Sequence, residues 1–425
     1  MKLTNSKKYL QEALSVIPLG SQTFSRSHIF FDKNYFPLFN SYGKKQYLYD
    51  VDGNKFLDFI NGLGSVSIGY GIKEIDKKII STLKKGVTFS LSHRLEYEVS
   101  KLLIKLIPCA EMVRFGKNGT DVNSAAIRLA RYFTKREKIA VCGYHGWQDW
   151  YIASTSMDGG ITKETKKNTH IFEYNNINSL KKLFKKNKYA AVILEPLSYE
   201  KPNNEFLKKV SLLCKKQKTL LIFDEICTGF RVSEGGVQKI YNVKPDLTTL
   251  GKGMANGYPI SALVGRKYIM KNLDKIFYSG TFAGETVSLQ ACKSTIEFIL
   301  KNKTIKNNIV LGKLLKRSVE DLLEKYKLNN IINISGHESW LFMRYKSNST
   351  NYNLLLKSFI QQGLIKRKIL FLGSFNINFS HNINNIKYLI KILKDIFIKI
   401  AKNRNNLNKL VYIKKSKPLF SIRKT

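Results

Sequence analysis

Between Gly62 and Leu300 the chain alternates short apolar runs with amphipathic helical stretches. The runs KIAVCGY, AAVILEP, TLLIFDE and LTTLGK carry apolar cores too short for a helix and without polar alternation. Such runs read as strands buried on both faces. Strands separated by helices give a largely parallel sheet with helices on either side, an α/β fold. In open sheets of this kind ligands collect outside the carboxyl ends of the strands. The residues that directly follow each run are therefore the first candidates for chemistry.

The flanks differ. Up to about Ile60 the sequence reads as an irregular arm followed by short strands, with QYLYDVDGNKFLDF a hairpin turning at Asp52-Gly53. After Leu300 a Lys-rich helical region leads to WLFMRY, a strand. Leu354 to Gln362 reads as a helix that Gly363 ends. ILFLGSFNINFS then gives strand and turn, and a last amphipathic helix starts near Asn384. The expected division is an N-terminal arm and part of a small domain over 1–60 and a large domain over 61–300. A smaller α+β domain over 301–403 follows, with a mobile basic tail over 404–425.

Composition narrows the function classes. No apolar run approaches the roughly 20 residues of a membrane span. The N-terminus lacks the long apolar region of a secretory signal. Cys109, Cys142, Cys214, Cys227 and Cys292 are odd in number and form no CxxC pair. Neither a disulfide framework nor a metal site is expected, and a reducing cytoplasm fits. The net charge of +41 comes from scattered lysines in a sequence also rich in Asn and Ile. No aromatic-interleaved basic motif accompanies them, so no specific nucleic-acid partner is expected; small anionic substrates fit better.

Four strand-end features carry chemical potential. Phe115-Gly116-Lys117-Asn118-Gly119-Thr120 precedes a helix whose Val122, Ala125, Ala126, Leu129, Ala130 and Phe133 form a buried stripe. Gly119 would allow a tight turn and Thr120 would cap the helix, whose N-terminus can take an anion. An ordinary strand–turn–helix reads the same way. Gly143-Tyr144-His145-Gly146-Trp147 offers a flat ring for a planar ligand, or a packed aromatic turn. Asp224-Glu225 puts carboxylates at a site mouth. It resembles the acids of nucleotide hydrolases, but neither Gly251-Lys252-Gly253 nor Gly116-Lys117-Asn118 completes a GxxxxGK[ST] phosphate loop. Lys252 lies between glycines after LTTL. If buried, its amine would fall in pKa and become available for Schiff-base chemistry; alone, among 72 basic residues, a surface-turn lysine is the better reading.

In combination these residues resemble fold type I pyridoxal-phosphate enzymes. More narrowly, they resemble class III aminotransferases and their relative glutamate-1-semialdehyde 2,1-aminomutase. The resemblance runs from about Phe24 to His381. It is densest in FGKNGTDVNSAAIRLARYFTKREKIAVCGYHGW, LLIFDEICTGFR, PDLTTLGKGMANGYPISALVGR and SGTFAGETVS. It implies pyridoxal 5'-phosphate as cofactor, held by Lys252 as an aldimine, with a pyridoxamine form during turnover. Lys252 would also carry the proton, and Asp224 would bind the ring nitrogen. Tyr144 and Ile226 would pack on the ring faces, with His145 beside them. Asn118, Gly119 and Thr120 would hold the phosphate, joined by Thr281 from the partner subunit of a homodimer.

The resemblance also implies substrates: a small amino donor and a carbonyl compound, with Arg26 on a carboxylate. Two departures from the aminomutase pattern stand near that substrate. Leu63 occupies a tryptophan position, and Glu195-Pro196 continues as Leu197-Ser198-Tyr199-Glu200 instead of an Asn-bearing loop. Intermolecular amino transfer is therefore the first reading. Intramolecular transfer by an aminomutase is the second. A non-catalytic binding protein on the same fold is a third, which intact Lys252 and Asp224 oppose.

Overall fold

Seven strands form the central sheet, the four apolar runs accounting for four of them. In the computed structural model, which describes residues 1–203, 205–415 and 421–422, they are β1 (Met112–Gly116), β2 (Ile139–Cys142), β3 (Thr169–Ile171), β4 (Ala191–Leu194), β5 (Leu220–Asp224), β6 (Leu247–Leu250) and β7 (Ser261–Gly265). Their order is β1-β7-β6-β5-β4-β2-β3. Strands β3, β2, β4, β5 and β6 run parallel, and β7 pairs antiparallel with both β6 and β1. Every residue of β2, β4, β5, β6 and β7 is buried.

The two faces alternate residue by residue, as a pleated strand requires. Ile193 and Ile222 pack on one side with Ala126 and Leu129 of helix α1 (Gly119–Thr134). Val192 and Phe223 pack on the other, with Leu207 and Val210 of the helix Phe206–Lys216. The predicted stripe on α1 holds through Ala130 and fails at Phe133. That ring is exposed beside Tyr268, because the helix ends just beyond it at left-handed Lys135.

This sheet belongs to a unit of residues 73–305, with 421–422; residues 1–72 and 306–415 form a second unit. The divisions thus fall later than the 60/61 and 300/301 boundaries expected from sequence. Asn61–Gly64 stays with the terminal unit because a polar network fixes it there. Asn61 Nδ2 donates to the Asn376 carbonyl at 2.6 Å, and Asn378 Nδ2 donates to Asn61 Oδ1 at 2.8 Å. Asn61, Gly62, Leu63 and Gly64 all take positive φ, so Leu63 sits in a left-handed turn.

The terminal unit has a four-stranded and a three-stranded sheet. The first contains the expected hairpin, Tyr47–Asp50 with Lys55–Asp58. The second pairs Trp340–Tyr345 with Ile332–His337 and Ser374–Asn376. The arm is not irregular throughout. Thr4–Val16 is a helix that buries Leu10 and Ala13, and Asp52 accepts the Asn5 and Ser6 N–H groups at its start, at 2.8 and 2.9 Å. The tail is not wholly loose either. Arg404–Lys409 forms 3-10 turns, and Leu407 and Ile413 are buried, since an apolar residue in each segment finds core to cover. Residues 416–420 and 423–425 of the expected tail lie outside the described residues. Among the described residues no helix is long and apolar enough to cross a membrane.

Gly363 does not end its helix. Thr350–Lys366 runs through it, and a Cβ there would stand 2.6 Å from Ile396 Cδ1 of the helix Ile383–Lys402. The glycine is a packing residue, letting two helices approach. Gly363→Val should therefore cost about 1–3 kcal/mol through overpacking. A lowered urea midpoint checks this; an unchanged midpoint contradicts it.

Candidate active site

β5 delivers two acids to opposite sides. Asp224 is only 4% exposed, and donors converge on it. Asn123 Nδ2 donates to Oδ2 at 2.8 Å, the Ile226 N–H donates to Oδ1 at 3.1 Å, and His145 Nδ1 lies 2.8 Å from Oδ2. An ionised carboxylate only accepts, so the His145 proton sits on Nδ1. His145 is itself buried against Trp150 and Tyr151. Asn123 is fixed in turn: its Oδ1 accepts from Thr249 Oγ1 at 2.7 Å and its Nδ2 also reaches the His145 carbonyl. Glu225 is not at a site mouth. Its buried carboxylate accepts from the Val237 N–H at 2.6 Å and from Thr228 Oγ1 at 3.0 Å, pinning the following loop.

Lys252 follows β6 and Gly251 with a left-handed φ of +43°. Its Nζ donates to Cys227 Sγ at 2.7 Å. Burial pulls the amine down in pKa, but Cys227 and Glu195 pull it up and prevail, so it lies above its ordinary value. The expectation of a depressed amine is thus overturned in the free chain. A carboxylate and a sulfur beside the nitrogen offset its desolvation. Glu195, at the end of β4, accepts the Tyr144 N–H at 2.9 Å. Burial raises its carboxyl above the ordinary 4.5, Asp224 adding to this while His145 and Lys252 oppose it. Burial pushes the Tyr144 hydroxyl above its ordinary pKa, with Lys252 opposing and Cys227, Glu195 and Asp224 adding to the rise.

The N-terminus of α1 closes a third side. Asp121 accepts the Asn118 and Lys117 N–H groups at 2.7 and 3.1 Å, so the acid caps the helix and Thr120 does not. Thr120 Oγ1 is instead buried and has no hydrogen-bond partner among the described residues. Gly119 has no positive φ; its need is space. A Cβ there would stand 3.0–3.1 Å from three atoms of Ile226. Gly146 needs both space and conformation, with φ +110° and a Cβ position 2.5 Å from Thr120 Oγ1. The two Gly-flanked loops and the Ile226 side chain therefore interlock.

Asp224, Ile226, Lys252, Tyr144, His145, Gly119 and Thr120 thus gather in one unit. Asn118 is exposed at the helix start, its carbonyl accepting from Ser261 Oγ at 2.8 Å. Thr281 is exposed, in a cleft it shares with Lys117, Ser124 and Gln148. Arg26 ends a 3-10 turn, Phe24–Arg26, of the terminal unit and is exposed. Asn123 and Cys227 escaped the sequence reading. Asn123 is the one amide in the turn following Thr120, on the buried side of the stripe, and that misplaced polarity was its only signal. The residues fit the implied cofactor. An unpartnered buried hydroxyl at a helix N-terminus suits a phosphate, a donor-ringed carboxylate suits a pyridinium, and the Lys252 amine suits a covalent link to a carbonyl.

Two consequences follow for stability. Asn123→Ala removes a donor from the buried Asp224 and leaves Thr249 unpaired, and should cost about 1–3 kcal/mol, read as a lower thermal midpoint. For Glu195, the folded chain binds the proton more tightly than the unfolded chain. Its contribution is therefore full below about pH 4.5 and declines as pH rises toward the folded value. Glu195→Gln should remove that decline, so that its gain in urea midpoint over the parent grows with pH; parallel curves would contradict this.

Comparison with known proteins agrees with this geometry. The sequence profile of the aminotransferase class-III family matches residues 30–393. The chain is 34% identical to a 3-aminobutyryl-CoA aminotransferase of Cloacimonas acidaminovorans, across 95% of this chain and 99% of that one. It is 35% identical to a glutamate-1-semialdehyde 2,1-aminomutase of Methanosphaera stadtmanae, across 82% and 85%. In fold it is similar to an omega-transaminase from Sphaerobacter thermophilus, with TM-score 0.85 and 21% identity over 93% of this chain and 98% of that one. Sheet order, buried carboxylate and matched sequence converge, and the chain belongs to the class-III aminotransferase family of pyridoxal-phosphate-dependent enzymes.

Proposed function

We propose that this enzyme moves an amino group between two small molecules, with Lys252 as the covalent holder of pyridoxal phosphate and Asp224 as the partner of its ring nitrogen. The observation that carries this reading is the convergence of Asn123, His145 and the Ile226 N–H on Asp224, beside a lysine amine with a single sulfur partner. When bound, the cofactor supplies a carbonyl that accepts amino groups and a cationic ring that draws electrons.

The chain's own residues supply the rest. Asp224 holds a proton at the ring nitrogen, and His145 and Asn123 keep its carboxylate aimed. Thr120 Oγ1 and the first N–H groups of α1, with Gly119 and Asn118, bind phosphate. Tyr144 and Ile226 would hold the ring and exclude water from it. Lys252 Nζ moves the substrate proton once released. Such acid–base work contributes typically about 100- to 10,000-fold.

Thr281 would reach the phosphate of a partner subunit. The loops around it carry Leu91, Phe277 and Phe282 at 85%, 84% and 60% exposure, apolar surface that a homodimer would cover. Arg26 is the proposed carboxylate contact of the substrate. Five free cysteines favour a reducing cytoplasm. The first relative named above is an aminotransferase acting on an acyl-CoA amine, and intermolecular transfer is our reading. Comparable identity to aminomutases keeps intramolecular transfer as the second.

Borohydride reduction of the purified enzyme should fix the cofactor to the peptide containing Lys252, and Lys252→Ala should lose that label; a label elsewhere would defeat the assignment. Asp224→Asn should lower turnover far more than it lowers the melting temperature. For the substrate question, amino donors should bleach the cofactor absorbance and release a free carbonyl product. Rearrangement of glutamate semialdehyde with no second substrate would favour the mutase.

A further inference from the structure

Four of the five cysteines are buried in the packed interior, and Cys227 alone is part-exposed. It sits three residues after Asp224, on the loop that Ile226 anchors. Its sulfur lies 2.7 Å from Lys252 Nζ. Among the described residues Lys252 Nζ makes no second hydrogen bond, and the loop is already held by Asp224, Glu225 and the Arg231 Nε bond to the Cys227 carbonyl at 2.9 Å. A thiol in contact with an amine, on a residue part-exposed to solvent, has a definite chemistry.

We propose that Cys227 and Lys252 form an oxidative modification site, at which a peroxide joins the two side chains through a reversible sulfur–nitrogen bond whenever the amine is free. The steps balance. Peroxide takes two electrons from the Cys227 sulfur, its O–O bond breaks, and water leaves a sulfenic acid on Cys227. The lone pair of unprotonated Lys252 Nζ attacks that sulfur. The S–O bond breaks, the departing oxygen collects the nitrogen proton, and a second water leaves. Sulfenic acids condense in this way with thiols and with amide nitrogen; here the nearest nucleophile is the amine in contact. Two thiol molecules reverse the link. The first displaces the amine to give a mixed disulfide, and the second frees Cys227 as the reagent disulfide departs.

Burial holds the Cys227 thiol above its ordinary pKa, with the Lys252 charge opposing. Oxidation therefore needs excess peroxide. The link also needs the Lys252 amine unprotonated, and since that amine lies above its ordinary pKa, alkaline pH favours the step. Its consequence rests on the reading of Lys252 as cofactor anchor: a linked lysine cannot take up pyridoxal phosphate, and a lysine engaged by the cofactor cannot form the link.

The test treats the holoenzyme with hydrogen peroxide, with and without an amino donor that frees Lys252, then alkylates, digests and weighs the peptides. The expected product is a Cys227–Lys252 peptide pair lighter by two hydrogens. It should be abundant with donor and scarce without, absent from Cys227→Ser, and abolished by dithiothreitol. Renewed uptake of pyridoxal phosphate, followed by absorbance, should fail until the thiol is added. Recovery of Cys227 as alkylated thiol or as sulfinic acid, with no linked pair in the donor-treated sample, overturns the proposal. A link that forms equally in both samples supports the sulfur–nitrogen chemistry but overturns Lys252 as the anchor.

Discussion

A carboxylate placed at the end of a buried strand is costly unless its lone pairs are met, and the active unit is organised around meeting them at Asp224. Its partners come from three separate places in the chain: the helix after β1, the loop after β2 and the turn after β5 itself. None can be moved without disturbing the acid. The parallel order of β2, β4, β5 and β6 is what brings those strand ends to one edge. Asp224 thus converts a sheet topology into a charged point of fixed direction.

The neighbouring groups divide their labour by strand alternation and by space. Glu225, one residue on, faces away and secures a loop with four donors, so two adjacent acids serve unlike ends. Ile226 fills the gap between Gly119 and Gly251, whose missing side chains bring the helix start and the Lys252 turn close together. A side chain at either glycine would push the phosphate-facing end of α1 away from the lysine. Chemistry and packing are therefore coupled through one isoleucine.

Much of this was legible in the sequence because it rests on short-range rules. Continuous apolar runs marked four of the seven sheet strands, and what followed them marked the site. What was not legible depended on tertiary partners. Gly363 looks like a helix terminator until Ile396 is seen against it, and Thr120 looks like a cap until Asp121 takes that role. Asn123 reads as an interruption of an apolar stripe, since nothing local says that Asp224 lies opposite. The lysine's upward shift was hidden for the same reason: Cys227 and Glu195 reach it from other strand ends. Helix Thr4–Val16 was missed because it buries only two apolar residues, Leu10 and Ala13.

The account stands on Asp224 keeping a bound pyridine ring cationic. Nitrogen NMR of the enzyme reconstituted with ring-nitrogen-labelled pyridoxal phosphate reads this directly. The arrangement of donors on Asp224 predicts a protonated ring nitrogen throughout the neutral range, and loss of that signal in Asp224→Asn. A ring nitrogen with the shift of a neutral pyridine in the unaltered enzyme would contradict it.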